Sequence, residues 1–306
     1  MSLPQPVWTI RGGIVDPAPP LSENTTSFNS VAPYRIWGIV NVTPDSYYDG
    51  GRHPTPETAL AHARALTAQG AAVLDVGGAS SRPGSVDVDA DEEAARVLPV
   101  VRGLLTDRKA AGGASGSAPF PLISVDTWRA DVAEAVLEAG ADILNDISAC
   151  AWEPRLAEVV AARRPGYVLM HCRGRPGHMQ DAPRYADVVD EVAAFFERRM
   201  AALIRAGLPE TNIVLDPGIG FGKTLEHNLA LLARTERLLE LGRPLLLGLS
   251  NKSLFGDLFG LGRDERGDCT AVCTALLAER GYLHHRVHDV AAARRALTLV
   301  RAVGPL

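Results

Sequence analysis

From Tyr34 onward, short β-branched apolar runs alternate with longer amphipathic stretches, and this alternation constrains the fold more than any other feature of the chain. Eight strand candidates can be counted: Ile36–Val42, Val73–Gly77, Leu122–Asp126, Ile143–Ile147, Tyr167–His171, Ile213–Asp216, Leu245–Leu249 and His285–Val287. Each is followed by a predicted helix. Apolar residues there recur at helical spacing, as in Val132, Val136 and Leu137, or Leu229, Leu232 and Leu239. Thr224 is a plausible cap before Leu225, and Gly70, Gly140, Gly242 and Gly281 stand where helices should close. An open doubly wound sheet usually has about five or six strands and would leave two units unexplained. The count therefore predicts an α/β fold, a closed (β/α)8 TIM barrel with a short N-terminal extension. Residues 1–33 form the extension and 34–306 the barrel domain. The extension is expected either to cross the bottom of the barrel or to form a loose arm.

A chain of 306 residues suits a single barrel core. With 46% hydrophobic residues, 22% charged residues and a formal net charge of −5, the composition is that of a soluble globular protein and suggests no basic surface for nucleic acid or membrane. Cys150, Cys172, Cys269 and Cys273 show no zinc-site spacing, so they read as reduced thiols of a cytoplasmic enzyme. Cys269 and Cys273, four apart on a predicted helix, read as small apolar filler rather than metal ligands. The proline-rich first thirty residues resemble no signal peptide, and no run is long and apolar enough to span a bilayer. Asp107–Pro119, with its Ala-Gly-Gly-Ala-Ser-Gly-Ser core, reads as a flexible surface insertion.

In a parallel barrel, chemistry gathers where strands run into the following loops. Polar residues stand at all eight such points: Asn41, Ser81 with Arg82, Asp126, Asn145 with Asp146, His171, Asp216, Ser250–Lys252, and Arg286 with His288. Any one of them could simply cap a helix or brace a loop. Asp126 and Asn145, however, interrupt apolar runs, where unpaired burial costs roughly 1–3 kcal/mol. Asp126, Asn145, Asp216 and Lys252 supply the acceptors and donors that a flat heterocycle with a mixed edge requires. Asn41, Ser81, Arg82, Arg286 and His288 suit an anion such as phosphate. Ser80–Gly84 alone would be a proline-stiffened turn, and the glycine-rich Asp216–Lys223 lacks Walker spacing.

Eight strings carry a family resemblance. They are GIVNVTPDSYYDGG from Gly38, DVGGASSRPGS from Asp75, SVDT from Ser124, NDIS from Asn145, LMHCRGRPGHMQ from Leu169, DPGIGFGKTLEHN from Asp216, GLSNKS from Gly248 and RVHDV from Arg286. In order and spacing the chain resembles the dihydropteroate synthases from about residue 36 to its end. The resemblance implies that 6-hydroxymethyl-7,8-dihydropterin diphosphate condenses with para-aminobenzoate, giving 7,8-dihydropteroate and diphosphate. It implies a pterin ring held by Asp126, Asn145, Asp216 and Lys252 with Met170 packing nearby, and a diphosphate held by Asn41, Ser81, Arg82, Arg286 and His288. Mg2+ would touch Asn41, and Pro83, Phe221 and Ser250 would border para-aminobenzoate. Asp126, Asp216, Lys252, Arg286 and His288 are the implied catalytic residues. Sulfonamide sensitivity and a homodimer are implied as well.

The chemistry follows from charge. Arg82, Arg286, His288 and magnesium would stabilise the departing diphosphate, and Asp126 and Asp216 would favour the cationic methylene carbon that the amine attacks. No enzyme nucleophile is required. The chain departs from the family where Asn251 replaces the arginine of Ser-Arg-Lys and Ala79 replaces a glutamate. Asn251 lowers the positive potential facing the carboxylate of para-aminobenzoate. Two other readings stay open: a pterin-dependent methyltransferase, which would have no diphosphate to neutralise, and a non-catalytic or altered-specificity pterin-binding paralogue. Thr43–His53 and Ser80–Val86 are expected to act as lids.

Overall fold

The alternation of the sequence is realised as a ring of strands in the computed structural model, which describes residues 6–10, 13–16, 31, 33–43, 55–80, 88–112 and 120–303. A hairpin, β1 (Trp8–Ile10) and β2 (Gly13–Asp16), precedes β3 (Arg35–Asn41), β4 (Val73–Gly77), β5 (Leu122–Asp126) and β6 (Ile143–Asp146). β7 (Gly166–Met170), β8 (Ile213–Asp216), β9 (Leu246–Leu247) and β10 (His284–Val287) complete the set. The eight strands from β3 onward are parallel and neighbour one another in the order β8-β7-β6-β5-β4-β3-β10-β9. A parallel bridge between Leu215 and Leu245 brings the two ends of the row together, as expected of a (β/α)8 barrel.

The crossover helices are α1 (Pro56–Gln69), α2 (Ala90–Ala111), α3 (Ala130–Ala139), α4 (Arg155–Arg163) and α5 (Val188–Ala206). They continue with α6 (Leu225–Ala233), α7 (Glu236–Leu239), α8 (Ser253–Phe259), α9 (Gly267–Ala278) and α10 (Val290–Val303). Local chemistry sets their ends. Thr55 and Thr224 cap α1 and α6 through reciprocal bonds with Thr58 and His227, and Asp187 caps α5. Gly70 and Gly140 close α1 and α3, while Gly242 and Gly281 turn the chain shortly after α7 and α9.

Two sequence expectations need correction. Leu229, Leu232 and Leu239 do not share one helix: α6 ends at Ala233, where the Thr235 hydroxyl donates 3.1 Å to the Leu232 carbonyl and competes with helix continuation. Residues 107–111 are not part of a loose insertion but the last turns of α2, tied down by Arg64 to Asp107 at 2.8 Å and by Arg108 to Asp142 at 2.5 Å. Residues 113–119 lie outside the described residues.

The main apolar layer lies between sheet and helices, with Ile36, Leu74, Ile123, Leu144 and Leu215 facing Val101, Val136, Val160 and Val192. A second cluster fills the barrel at its N-terminal end. There Trp8 of the hairpin stacks on Trp37 with ring centroids 6.0 Å apart, among Val73, Ile143, Val168, Val214 and Leu246. The Trp8 indole donates to the Asn212 carbonyl at 3.1 Å, so the hairpin lies across the bottom of the barrel. That plug leaves the opposite end as the concave face.

Candidate active site

Strand alternation decides which side chains reach that face. Within β4 the inward positions are Val73, Asp75 and Gly77; in β5 they are Leu122, Ser124 and Asp126, in register with them. Along β6 they are Ile143 and Asn145, along β8 Val214 and Asp216, and along β10 His284 and Arg286. The barrel is therefore apolar at its base except for His284, which accepts from the Trp37 indole at 3.1 Å, and polar one layer higher, where Asp75, Ser124, Asn145, Asp216 and Arg286 are all buried. Asp146, adjacent to Asn145, has the opposite parity. Its carboxylate braces the next loop, accepting from the Ser148 and Cys150 amides and the Tyr167 hydroxyl at 2.7, 2.6 and 2.7 Å.

Above this layer opens a cavity of about 450 Å³, of a size suited to small-molecule ligands. Asn41, Asp126, Phe221, Ser250, Lys252, Arg286 and His288 line it, so seven residues singled out from the sequence share one space. Asn145, Met170 and Asp216 lie fully buried beneath or behind it. Met170 joins Trp128, Ile147, Met179 and Phe221 in an apolar cluster beside the polar layer. Ser81, Arg82 and Pro83 lie outside the described residues, as do 44–53 and 81–86 of the two expected lids.

One arginine connects the two expected sub-sites. Arg286 stands 3.4 Å from Asp75 and 3.4 Å from Asp216. Burial opposes its charge, but Asp216, Asp75 and Asp126 outweigh burial and hold its pKa above the ordinary value. Gly248 makes room for it, since a Cβ there would lie 3.1 Å from an Arg286 Nη atom. The other Asp216 oxygen accepts from the Gly218 amide at 2.7 Å. Asp126 is different: burial first, and the neighbouring Asp75 second, push its carboxyl well above the usual carboxylate range. Asp126, one of the two carboxylates expected to favour a cation, thus tends to keep its proton.

Lys252 reaches across the cavity, donating to the Ile219 carbonyl with its ammonium 4.6 Å from the centre of the Phe221 ring. Burial is the main cause that brings its pKa down to about 7. The loop carrying Phe221 is held by a second lysine. Lys223 donates to the carbonyls of Gly218 and Phe221 at 3.0 Å each, and lies 2.9 Å from His171 Nδ1. His171, expected at the site, serves this clamp instead, and burial keeps its imidazole well below the usual pKa. Gly218, at φ +64°, allows the close approach, because a Cβ would fall 1.9 Å from the His171 carbonyl oxygen.

Ser250 Oγ accepts from the His288 backbone amide at 3.2 Å and lies 2.8 Å from His288 Nδ1, tying the serine to a residue expected at the anion sub-site. Asn251 sits at φ 56°, with its carbonyl accepting from Arg266 at 3.2 Å. Arg263 and Arg266 border the same wall. Sequence reasoning missed these arginines, together with Thr43, Met179 and Gln180, because loops bring them in. It also gave no role to Asp75, although an aspartate between Leu74 and Val76, two residues from Gly77, carries the same signal as Asp126.

Comparisons with known proteins agree with this geometry. The model of the pterin binding enzyme family matches residues 37–288. Dihydropteroate synthase of Mycobacterium leprae is 42% identical over 280 residues, 89% of this chain and 94% of the relative. The crystal structure of Yersinia pestis dihydropteroate synthase with a sulfonamide drug complex superposes with a TM-score of 0.83 at 35% identity, covering 97% of this chain and 98% of that one. The Xanthomonas albilineans enzyme in complex with 7,8-dihydropteroate gives a TM-score of 0.77 at 39% identity, over 90% and 96% of the two chains. With a family model matching most of its length and relatives near 40% identity, the chain belongs to the dihydropteroate synthases of the pterin binding enzyme family.

Proposed function

We propose that the chain is a transferase that condenses 6-hydroxymethyl-7,8-dihydropterin diphosphate with para-aminobenzoate, releasing diphosphate and 7,8-dihydropteroate. The observation that carries this reading is the inward layer of Asp75, Asn145, Asp216 and Arg286 beneath a cavity that Asp126, Lys252 and His288 also line. Asn145, Asp216, Asp126 and Lys252 would hold the pterin ring edge, with Met170 behind it. Arg286 and His288, with Asn41 and the loop residues Ser81 and Arg82, would hold the diphosphate. Phe221, Ser250 and Pro83 would border the second substrate.

The amide oxygen of Asn41, lining the cavity at the end of β3, fits a magnesium ion carried in on the diphosphate, since Mg2+ takes few protein ligands alongside phosphate oxygens. Among the described residues no cluster of three His, Cys, Asp or Glu stands ready to hold a metal by itself. Bound there, magnesium would neutralise charge on the leaving group. Arg286 binds the same developing charge from the protein side. Asp216, anchored by Gly218 and Arg286, stabilises the methylene carbon as it becomes cationic. Asp126, inclined to keep its proton, offers the ring both a donor and an acceptor. The apolar wall of Phe221 and Met179 shields the cationic carbon from water until the aryl amine attacks.

We take residues 34–306 as the catalytic unit and 1–33 as its extension. A homodimer is supported by the exposed apolar residues Val272 and Leu276 of α9 and Leu299 and Val303 of α10, two helices packed side by side. Four free thiols are in keeping with a cytoplasmic protein. No described helix is long and apolar enough to cross a membrane.

Purified protein mixed with the pterin diphosphate, para-aminobenzoate and Mg2+ should form dihydropteroate. Pterin binding without product would favour a non-catalytic paralogue, and methyl transfer from a methyl-folate to a corrinoid would favour the methyltransferase reading.

A further inference from the structure

Asp75 is 4% exposed and belongs to the inward layer of β4, one strand from Ser124 and two from Asn145. Its Oδ1 accepts from the Ser124 hydroxyl at 2.6 Å. Its Oδ2 accepts from Asn145 Nδ2 at 2.9 Å and faces Arg286 at 3.4 Å. The Arg286 guanidinium has donors only, so the Asp75 Oδ2 that faces it is an acceptor. The Asn145 amide must therefore present nitrogen to Asp75, because the flipped amide would set oxygen against oxygen at 2.9 Å. This leaves Asn145 Oδ1 as the amide's remaining group, an acceptor. That oxygen is fully buried and has no hydrogen-bond partner among the described residues. Native interiors rarely leave such an atom unsatisfied unless a ligand supplies the donor.

We propose that Asp75 is a positioning residue: by claiming Asn145 Nδ2 it fixes Asn145 as an obligate acceptor, and so sets the polarity of ring recognition at that point. The ligand group opposite is then an N–H of the pterin, ring or exocyclic, and an analogue with a bare lone-pair nitrogen there is disfavoured. This rests on the pterin reading of the site and adds to it a residue that touches the ring only through its neighbour. Arg286 keeps Asp216 as a partner whatever stands at position 75.

Swapping the two groups tests the idea. In Asp75→Asn the amide at 145 is free to flip, and in Asn145→Asp two carboxylates face each other. The double variant Asp75→Asn with Asn145→Asp restores one donor toward one carboxylate and again leaves an acceptor for the ring. Each single change should raise the KM for 6-hydroxymethyl-7,8-dihydropterin diphosphate about tenfold or more, while the KM for para-aminobenzoate stays within about twofold. The double variant should recover to within about fivefold of wild type, far below the product of the single effects. An unchanged pterin KM in Asp75→Asn, or single effects that simply multiply in the double, would overturn the proposal. Should a single variant fail to fold, a folded double variant with near wild-type KM supports the proposal, and a folded but weak one overturns it. Failure of the wild type itself to turn over would instead sink the catalytic reading.

Discussion

The Arg286 guanidinium lies 3.4 Å from Asp216, and this pair joins the place where a pterin ring would sit to the place where its diphosphate would leave. The same arginine also faces Asp75, so it serves two buried carboxylates at once. Arg286→Ala should lower kcat/KM about 10²- to 10³-fold, as loss of one preorganised charge at a leaving group does. It should also destabilise the fold by about 3–5 kcal/mol, because both carboxylates stay buried without this cation. Steady-state kinetics and denaturant unfolding check the two effects separately.

Burial holds Lys252 near a pKa of about 7, so its donor strength changes in the neutral range. The charged form, which binds an electron-rich ring edge best, predominates below that value. The kcat/KM for the pterin diphosphate should therefore fall as pH rises from about 7 to 9. Lys252→Arg, which keeps its charge, should start lower and lack that fall. A flat wild-type profile would contradict the role given to Lys252.

Lys223 ties the loop together by donating to the Gly218 and Phe221 carbonyls, the first of which also accepts from the Phe221 amide at 3.0 Å. Lys223→Met leaves the Gly218 and Phe221 carbonyls without this partner and should cost roughly 1–3 kcal/mol. Hydrogen exchange should speed up across 217–223, and the KM for para-aminobenzoate should rise because Phe221 loses its anchor. Unchanged exchange in that loop would show that the clamp is not what orders it.

Asn251 occupies a left-handed backbone position, at φ 56°, which asparagine tolerates better than most residues. Asn251→Arg adds a cation to the wall that Arg263 and Arg266 already share. It should lower the KM for para-aminobenzoate a few-fold without moving the pterin KM, at a stability cost of about 1 kcal/mol from the strained backbone. An unchanged para-aminobenzoate KM would refute the electrostatic reading of this position.

Most of the barrel was legible because a parallel strand must be apolar on both faces, which makes runs such as Ile143-Leu144 and Val73-Leu74 conspicuous. Polar interruptions of those runs marked the site for the same reason. Parity was the harder part. Asp146 looked equivalent to Asn145 yet points toward the helices, while Asp75 was passed over although it faces inward. Only the register of β4 against β5 and of β5 against β6 separates these cases. His171 and Lys223 could not be paired from sequence, because their contact depends on how two loops meet. Residues 107–111 misled because the glycines that follow them blurred the end of α2.

We propose that Asp216, at the end of β8, holds the pterin ring inside the barrel mouth. That role is tested most directly by the dissociation constant of 6-hydroxymethyl-7,8-dihydropterin diphosphate, measured with Mg2+ for the wild type and for folded Asp216→Ala. Loss of a buried, charged hydrogen-bonding group should weaken binding about 10- to 100-fold. Equal affinity in the two proteins would place the ring elsewhere and overturn this role for Asp216.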